Sequence, residues 1–212
     1  MCLFHLIRLV GWDGLTAIAT VALALIGGFA AAYAKRQLQD FRKESRIKHL
    51  IELVDQFERD PLAAHRRKLG EQRTSNGKLK ALDLNDPPYE LHDILNFFEH
   101  MGYMLEGDYI DLHGVSTEFH YWIFHVWADA KQLVSHERSE TPVYYKHLER
   151  MVERLVEVEK QRFGKFEFPS QEDLTDFYME EARSRAGIPI PRQKRRRRMS
   201  FSPSVDSTEK KE

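Results

Sequence analysis

The sequence predicts an all-α protein: a single N-terminal transmembrane helix extended into a cytosolic helical bundle, followed by a disordered basic C-terminal tail. Three observations predict it. One long stretch near the start carries no charge. Apolar residues in the middle recur at the 3.6-residue spacing of helices, with no alternating strand segment. The charge is unevenly distributed along a chain whose formal net charge is only -1.

The uncharged stretch runs from Gly14 to Ala34, and its only ionisable group is the phenol of Tyr33. A helix rising about 1.5 Å per residue over that length matches a hydrocarbon core of about 30 Å. Trp12 and Tyr33 stand at its ends, where amphipathic rings favour a membrane interface. Lys35, Arg36, Arg42, Lys43, Arg46 and Lys48 follow it, against Arg8 before it. The positive-inside rule therefore puts the N-terminus outside and the C-terminal domain in the cytosol, at the inner (plasma) membrane. Two alternatives are weighed. Ala32-Tyr33-Ala34 resembles a signal-peptide cleavage site, but the apolar run is long and the basic cluster behind it opposes export. A buried core helix is the other, and the lack of any polar face argues against it.

The remaining elements follow in order. Residues 1–11 form a flank, 12–34 the membrane helix and 35–60 a juxtamembrane helix with Leu38, Phe41, Ile47, Leu50, Ile51, Val54 and Phe57 as its stripe. Residues 61–186 form the bundle. Pro61 opens a short helix over Leu62–Gln72. Ser75-Asn76-Gly77 and Asn85-Asp86-Pro87-Pro88 read as turns. A helix over Tyr89–Leu105 buries Leu91, Ile94, Leu95, Phe98, Met101 and Leu105. Ser116 or Thr117 is expected to cap the next, whose stripe is Phe119, Trp122, Ile123, Val126, Trp127, Ala130 and Val134. Thr141-Pro142 reads as the start of another, with Tyr145, Leu148, Met151, Val152, Leu155 and Val156. Gly164 interrupts it. Ser170 with Asp173 caps a last helix to about Ala186. From Gly187 the tail holds eight basic and three acidic residues, so a mildly acidic body carries a basic end.

Chemistry-bearing patterns are sparse. The single cysteine, Cys2, excludes an internal disulfide and a zinc site built on several thiolates. Its palmitoylation is an alternative. No nucleophile elbow, Gly-rich phosphate loop or HExxH pattern occurs. His92-Asp93 is an HD dipeptide of the kind that metal-dependent phosphohydrolases use, with His65, His120, His125 and Asp129 as further ligands in principle. No spacing selects them, so no catalytic residue, metal site or cofactor is assigned. Aromatic stripes are most simply core, since burying one such side chain contributes about 1.5–3 kcal/mol.

The interaction candidates are of three kinds. Thr20, Ala24, Gly28 and Ala32, with Thr16 before them, recur every four residues and let two helix backbones approach; they point to a homo-oligomer through the transmembrane helix. Asn96, Glu99 and His100 share a helix with the apolar stripe and are expected to hydrogen-bond the Tyr121/Trp122 helix or to line a pocket there. Arg195, Arg196, Arg197 and Arg198 suit anionic membrane lipid. A salt-sensitive nucleic-acid contact and a solvated tail compete with that reading, and nothing points to specific nucleic acid.

Trp12 to Phe57, Leu95-Asn96-Phe97-Phe98-Glu99-His100-Met101-Gly102 and Phe119-His120-Tyr121-Trp122-Ile123 with Trp127 together resemble a bacterial family of membrane-anchored helical proteins, a domain of unknown function. The resemblance spans roughly residues 12–160. It implies a prokaryotic inner-membrane protein and carries no activity. The expectation is therefore a membrane-anchored interaction or scaffold module, self-associating or bound to an unidentified protein. A membrane-tethered HD-like hydrolase and a sensor or effector of a bacterial defence or stress system are the alternatives.

Overall fold

Helical periodicity becomes helix nearly throughout. The computed structural model describes residues 2–183, with side chains at 16, 17 and from 19 onward. Its elements are α1 (Cys2–Glu58), α2 (Leu62–Arg73), β1 (Thr74–Ser75), β2 (Lys78–Leu79), α3 (Tyr89–Glu106), α4 (Leu112–Glu140), α5 (Lys146–Phe163) and α6 (Gln171–Arg183). The expected tail, with Arg195 to Arg198, lies outside the described residues.

The transmembrane expectation is corrected. No helix among the described residues is long and apolar enough to cross a membrane. The orientation argued from its flanks loses its premise.

The chain divides into two units, Met1–Ile47 and Lys48–Glu212. In the first, the described side chains from Ala19 to Glu44 are exposed. The second has the core. It begins with Leu53 and Phe57, the last buried apolar residues of α1. Phe57 meets Phe97 (5.2 Å between ring centroids), Phe98 (5.7 Å), Phe119 (5.5 Å) and Trp122 (5.1 Å). The stripes expected on α3 and α4 are buried without exception.

Helix ends show where local chemistry departed from expectation. α4 starts at Leu112, before Ser116, because the Asp111 side chain accepts from Gly114 N at 2.8 Å. Thr141 ends α4, and α5 begins only at Lys146. Between them Tyr145 takes a left-handed backbone (φ 52), which costs a non-glycine residue about 1–2 kcal/mol. Arg138 compensates by donating to the Tyr144 and Tyr145 carbonyls at 2.7 and 2.8 Å and to Glu149 at 2.5 Å. Ser170 and Asp173 cap α6 reciprocally, Ser170 N donating to Asp173 Oδ2 at 2.9 Å and Asp173 N to Ser170 Oγ at 3.3 Å. The absence of strands is also corrected. Asn76 and Gly77 have φ of 51° and 72°, the paired left-handed geometry of a tight hairpin turn, and close the short β1–β2 hairpin.

Two glycines permit close helix contacts. A Cβ on Gly102 would sit 2.5 Å from the His147 carbonyl oxygen, and one on Gly70 2.6 Å from the Tyr178 oxygen and Ala182 nitrogen. These backbones cannot retreat without moving α5 or α6. Gly102→Ala is therefore expected to lower unfolding stability by about 1–3 kcal/mol, although alanine favours a helix over glycine. Urea denaturation of the purified chain checks this; an unchanged midpoint would contradict the close approach.

Candidate functional site

Polar groups inside the second unit converge on one seam, where α6 lies against α2 and α4. Arg73, at the end of α2, donates from Nε and Nη2 to Asp129 of α4 at 3.0 and 2.5 Å, and from Nη1 to the Lys80 carbonyl at 2.6 Å. Tyr178 of α6 donates to the same carboxylate at 2.8 Å. Arg73 and Asp129 side chains are 4% and 6% exposed, so this bidentate pair is removed from water. Burial and the Asp129 charge push the Tyr178 phenol well up, and it stays a donor.

One turn along α6, Glu181 accepts from Trp122 Nε1 at 3.1 Å. Arg66 Nε lies 3.5 Å from Glu181, an ion pair rather than a hydrogen bond. Its Nη2 lies 3.5 Å from Glu58. The guanidinium carbon stands 4.0 Å over the Phe57 ring and 5.6 Å from that of Trp122, where ring quadrupoles attract a cation. Tyr121 donates to Glu180 at 3.4 Å.

His125 completes the seam. Its ring lies 4.3 Å from Tyr121 and 4.8 Å from Phe177, nearly parallel to the latter, and its Nδ1 is 2.5 Å from the Tyr121 carbonyl. Burial pushes its pKa down to about 4, against the opposing Tyr121 carbonyl and the Asp173 charge; His120 adds to the depression. It is held as the neutral ring.

The sequence-predicted residues fall in different places. Tyr121 and Trp122 belong to this seam, donating to Glu180 and Glu181 of α6. Glu99 serves α5 instead, accepting from His147 N at 3.2 Å and Leu148 N at 2.7 Å, so an α3 carboxylate satisfies orphan donors at a helix start. Asn96 and His100 are exposed. Thr20, Ala24, Gly28 and Ala32 are exposed along α1, with Thr20 Oγ1 bonded to the Thr16 carbonyl at 2.8 Å. Arg66, Arg73, Asp129, Tyr178 and Glu181 were not singled out as interaction residues. The only available signal was charge on otherwise apolar faces.

The HD pair is drawn apart. His92 Nδ1 faces the Tyr145 hydroxyl at 3.0 Å and its Nε2 lies 3.5 Å from Glu137. Asp93 instead meets His65 Nδ1 at 2.8 Å. Neighbours on a helix point about 100° apart, and the two side chains do not share a centre. Among the described residues no group of three or more His, Cys, Asp or Glu side chains is placed to hold a metal ion.

The seam makes two predictions. Asp129→Ala strands the Arg73 charge and should cost about 3–5 kcal/mol, while Arg73→Met combined with Asp129→Leu should recover most of it. Denaturant midpoints of the three chains decide this, and equal losses would refute the ion-pair account. His125 sets a pH dependence. Its folded pKa lies below the ordinary 6.5, so the unfolded chain binds more protons between about 4 and 6.5. Its contribution is whole above pH 6.5 and is lost as pH falls toward 4, up to about 3 kcal/mol. A His125→Gln chain should show a shallower loss of stability between pH 7 and 4.5; identical slopes would count against the buried neutral ring.

Comparison with known proteins adds a family and no activity. A family model described as a domain of unknown function, DUF4760, matches residues 17–155. No curated protein matches, and no solved structure does. The match shows neither a membrane anchor nor a bacterial source. It takes in α2, α3 and α4 whole, with most of α1 and the first half of α5, and on that extent the chain belongs to the DUF4760 family.

Proposed function

We propose that this chain is a helical interaction module that self-associates through α1. The observation that carries the reading is a set of large apolar side chains left in solvent along that helix: Val21, Leu23, Leu25, Ile26 and Phe29 are 59–77% exposed. Contiguous apolar surface on this scale marks a site of association. Covering each such side chain favours the associated state by about 1.5–3 kcal/mol before the cost of association. Thr20, Ala24, Gly28 and Ala32 repeat every fourth residue and share one face of the helix. A Cβ added to Gly28 meets nothing within 4 Å, so that face is open to another backbone.

The native mass of the full-length chain tests this. Dimers or higher species are expected, and Leu25→Glu with Phe29→Glu should yield monomers whose second unit unfolds at the wild-type denaturant midpoint. A wild-type chain that stays monomeric at tens of micromolar sinks the proposal.

A further inference from the structure

We infer that two copies of this chain pair antiparallel along α1, crossing near Gly28, and that Lys35 and Arg42 set that direction. This rests on the self-association proposed for α1 and gives it a geometry. At about 100° per residue, positions seven and fourteen beyond Gly28 return to within about 20° and 40° of it. Those positions are Lys35 and Arg42, both exposed. The face that Gly28 opens to another backbone is therefore continued, one and two heptads on, by two cations. Asp40 and Glu44 stand about 120° and 160° around the helix from Gly28, so the line of that face is cationic. A parallel pair sets every residue beside its own copy. Lys35 would then meet Lys35 and Arg42 meet Arg42, in a seam that Gly28 and its neighbouring alanines draw close. Like charges held side by side repel, and the two helix dipoles, lying in the same sense, add to the repulsion.

An antiparallel pair about Gly28 removes both effects. The two Lys35 then lie about 21 Å apart along the axis and the two Arg42 about 42 Å, beyond the roughly 8 Å over which exposed charges interact at physiological salt. Lys35 comes opposite Val21, which stands seven residues to the other side of Gly28 and is 60% exposed. The stem of a lysine covers such a side chain while its ammonium stays in water. Side-chain volume selects the same direction. Within about 60° of Gly28, the face holds Val21, Ala24 and Leu25 before it and Ala31 and Ala32 after it. The bulk thus lies on one side of Gly28, and only methyl groups lie on the other as far as Lys35. In a parallel pair bulk meets bulk at one end and small meets small at the other, which splays the helices. With one copy turned over, Leu25 of each meets the alanines of the other, and large against small closes the contact along its length.

Cysteine crosslinking of the full-length chain reads the direction. In a Cys2→Ser background, a Val21→Cys chain is mixed with a Lys35→Cys chain and treated with a short bismaleimide. Mixed dimers are expected, with loss of crosslinked homodimers of either variant. Crosslinking of each variant to its own kind in place of the mixed pair would overturn the inference. A second measurement needs no new cysteine. Isotope-labelled Lys35→Glu chain is mixed with wild-type chain, and the dimers are sorted by native mass. Antiparallel pairs mix at random, because residue 35 never meets its copy; enrichment of the mixed dimer, in which glutamate faces lysine, refutes the antiparallel pair equally. The same native mass separates the two levels. A wild-type chain that stays monomeric ends the α1 reading and this inference with it, whereas a dimer that crosslinks in parallel ends this inference alone.

Discussion

Everything in the second unit is arranged around Phe57. Its ring is 1% exposed and stands within aromatic contact distance of Phe97, Phe98, Phe119 and Trp122. Such pairs add about 0.5–1.5 kcal/mol each beyond the area they bury. One side chain at the end of α1 thereby joins α1 to α3 and α4. Arg66 of α2 lies over the same ring at 4.0 Å, and through Arg66 the cluster reaches Glu181 of α6. Hydrophobic burial gathers the helices, and one cation turns that burial into a defined orientation.

The polar seam answers a different need. Apolar packing alone tolerates small rotations of one helix on another, since dispersion is non-directional. Arg73 held by both oxygens of Asp129, with Tyr178 on the same carboxylate, does not. Desolvating two charges costs several kcal/mol each, and only good geometry with further hydrogen bonds offsets it. The Lys80 carbonyl supplies one such bond and thereby ties the β1–β2 hairpin to α2. The hairpin is short, but its Asn76-Gly77 turn delivers that carbonyl to the guanidinium.

Much of the bundle was legible because period and punctuation are local signals. Tyr89 starts α3 as expected, Gly164 stops α5, and Ser170 with Asp173 caps α6. Failures arose where a distant group overrides a local one. Thr141-Pro142 has the chemistry of a helix start, yet Arg138 holds the chain in a turn until Tyr145. Asp111 caps α4 ahead of the better-looking Ser116, because its carboxylate accepts from Gly114 N and Ser116 then lies buried inside the helix. Glu99 sits on the right helix, but its partners lie about fifty residues away, and no spacing rule connects them. Tyr121 and Trp122 were visible as an aromatic element; that they pair with Glu180 and Glu181 depends on a helix packing that period alone does not specify. The membrane expectation failed for another reason. Length, interfacial aromatics and basic flanks all favoured a span, whereas no helix among the described residues is long and apolar enough to cross a membrane.

The proposed self-association through α1 draws on its mixture of small and large apolar side chains. A helix of leucines would bury more area but hold a neighbour at the distance its side chains impose, about 8–10 Å between axes. In the proposed pairing, Ala, Gly and Thr between Leu25, Ile26 and Phe29 would do both jobs: small residues would lower the separation of the backbones, and the large ones beside them would meet across it. Dispersion falls steeply with distance, so the closer approach strengthens each of those contacts. It also makes pairing sensitive to a single side chain, because one bulky group at Gly28 separates all of them together.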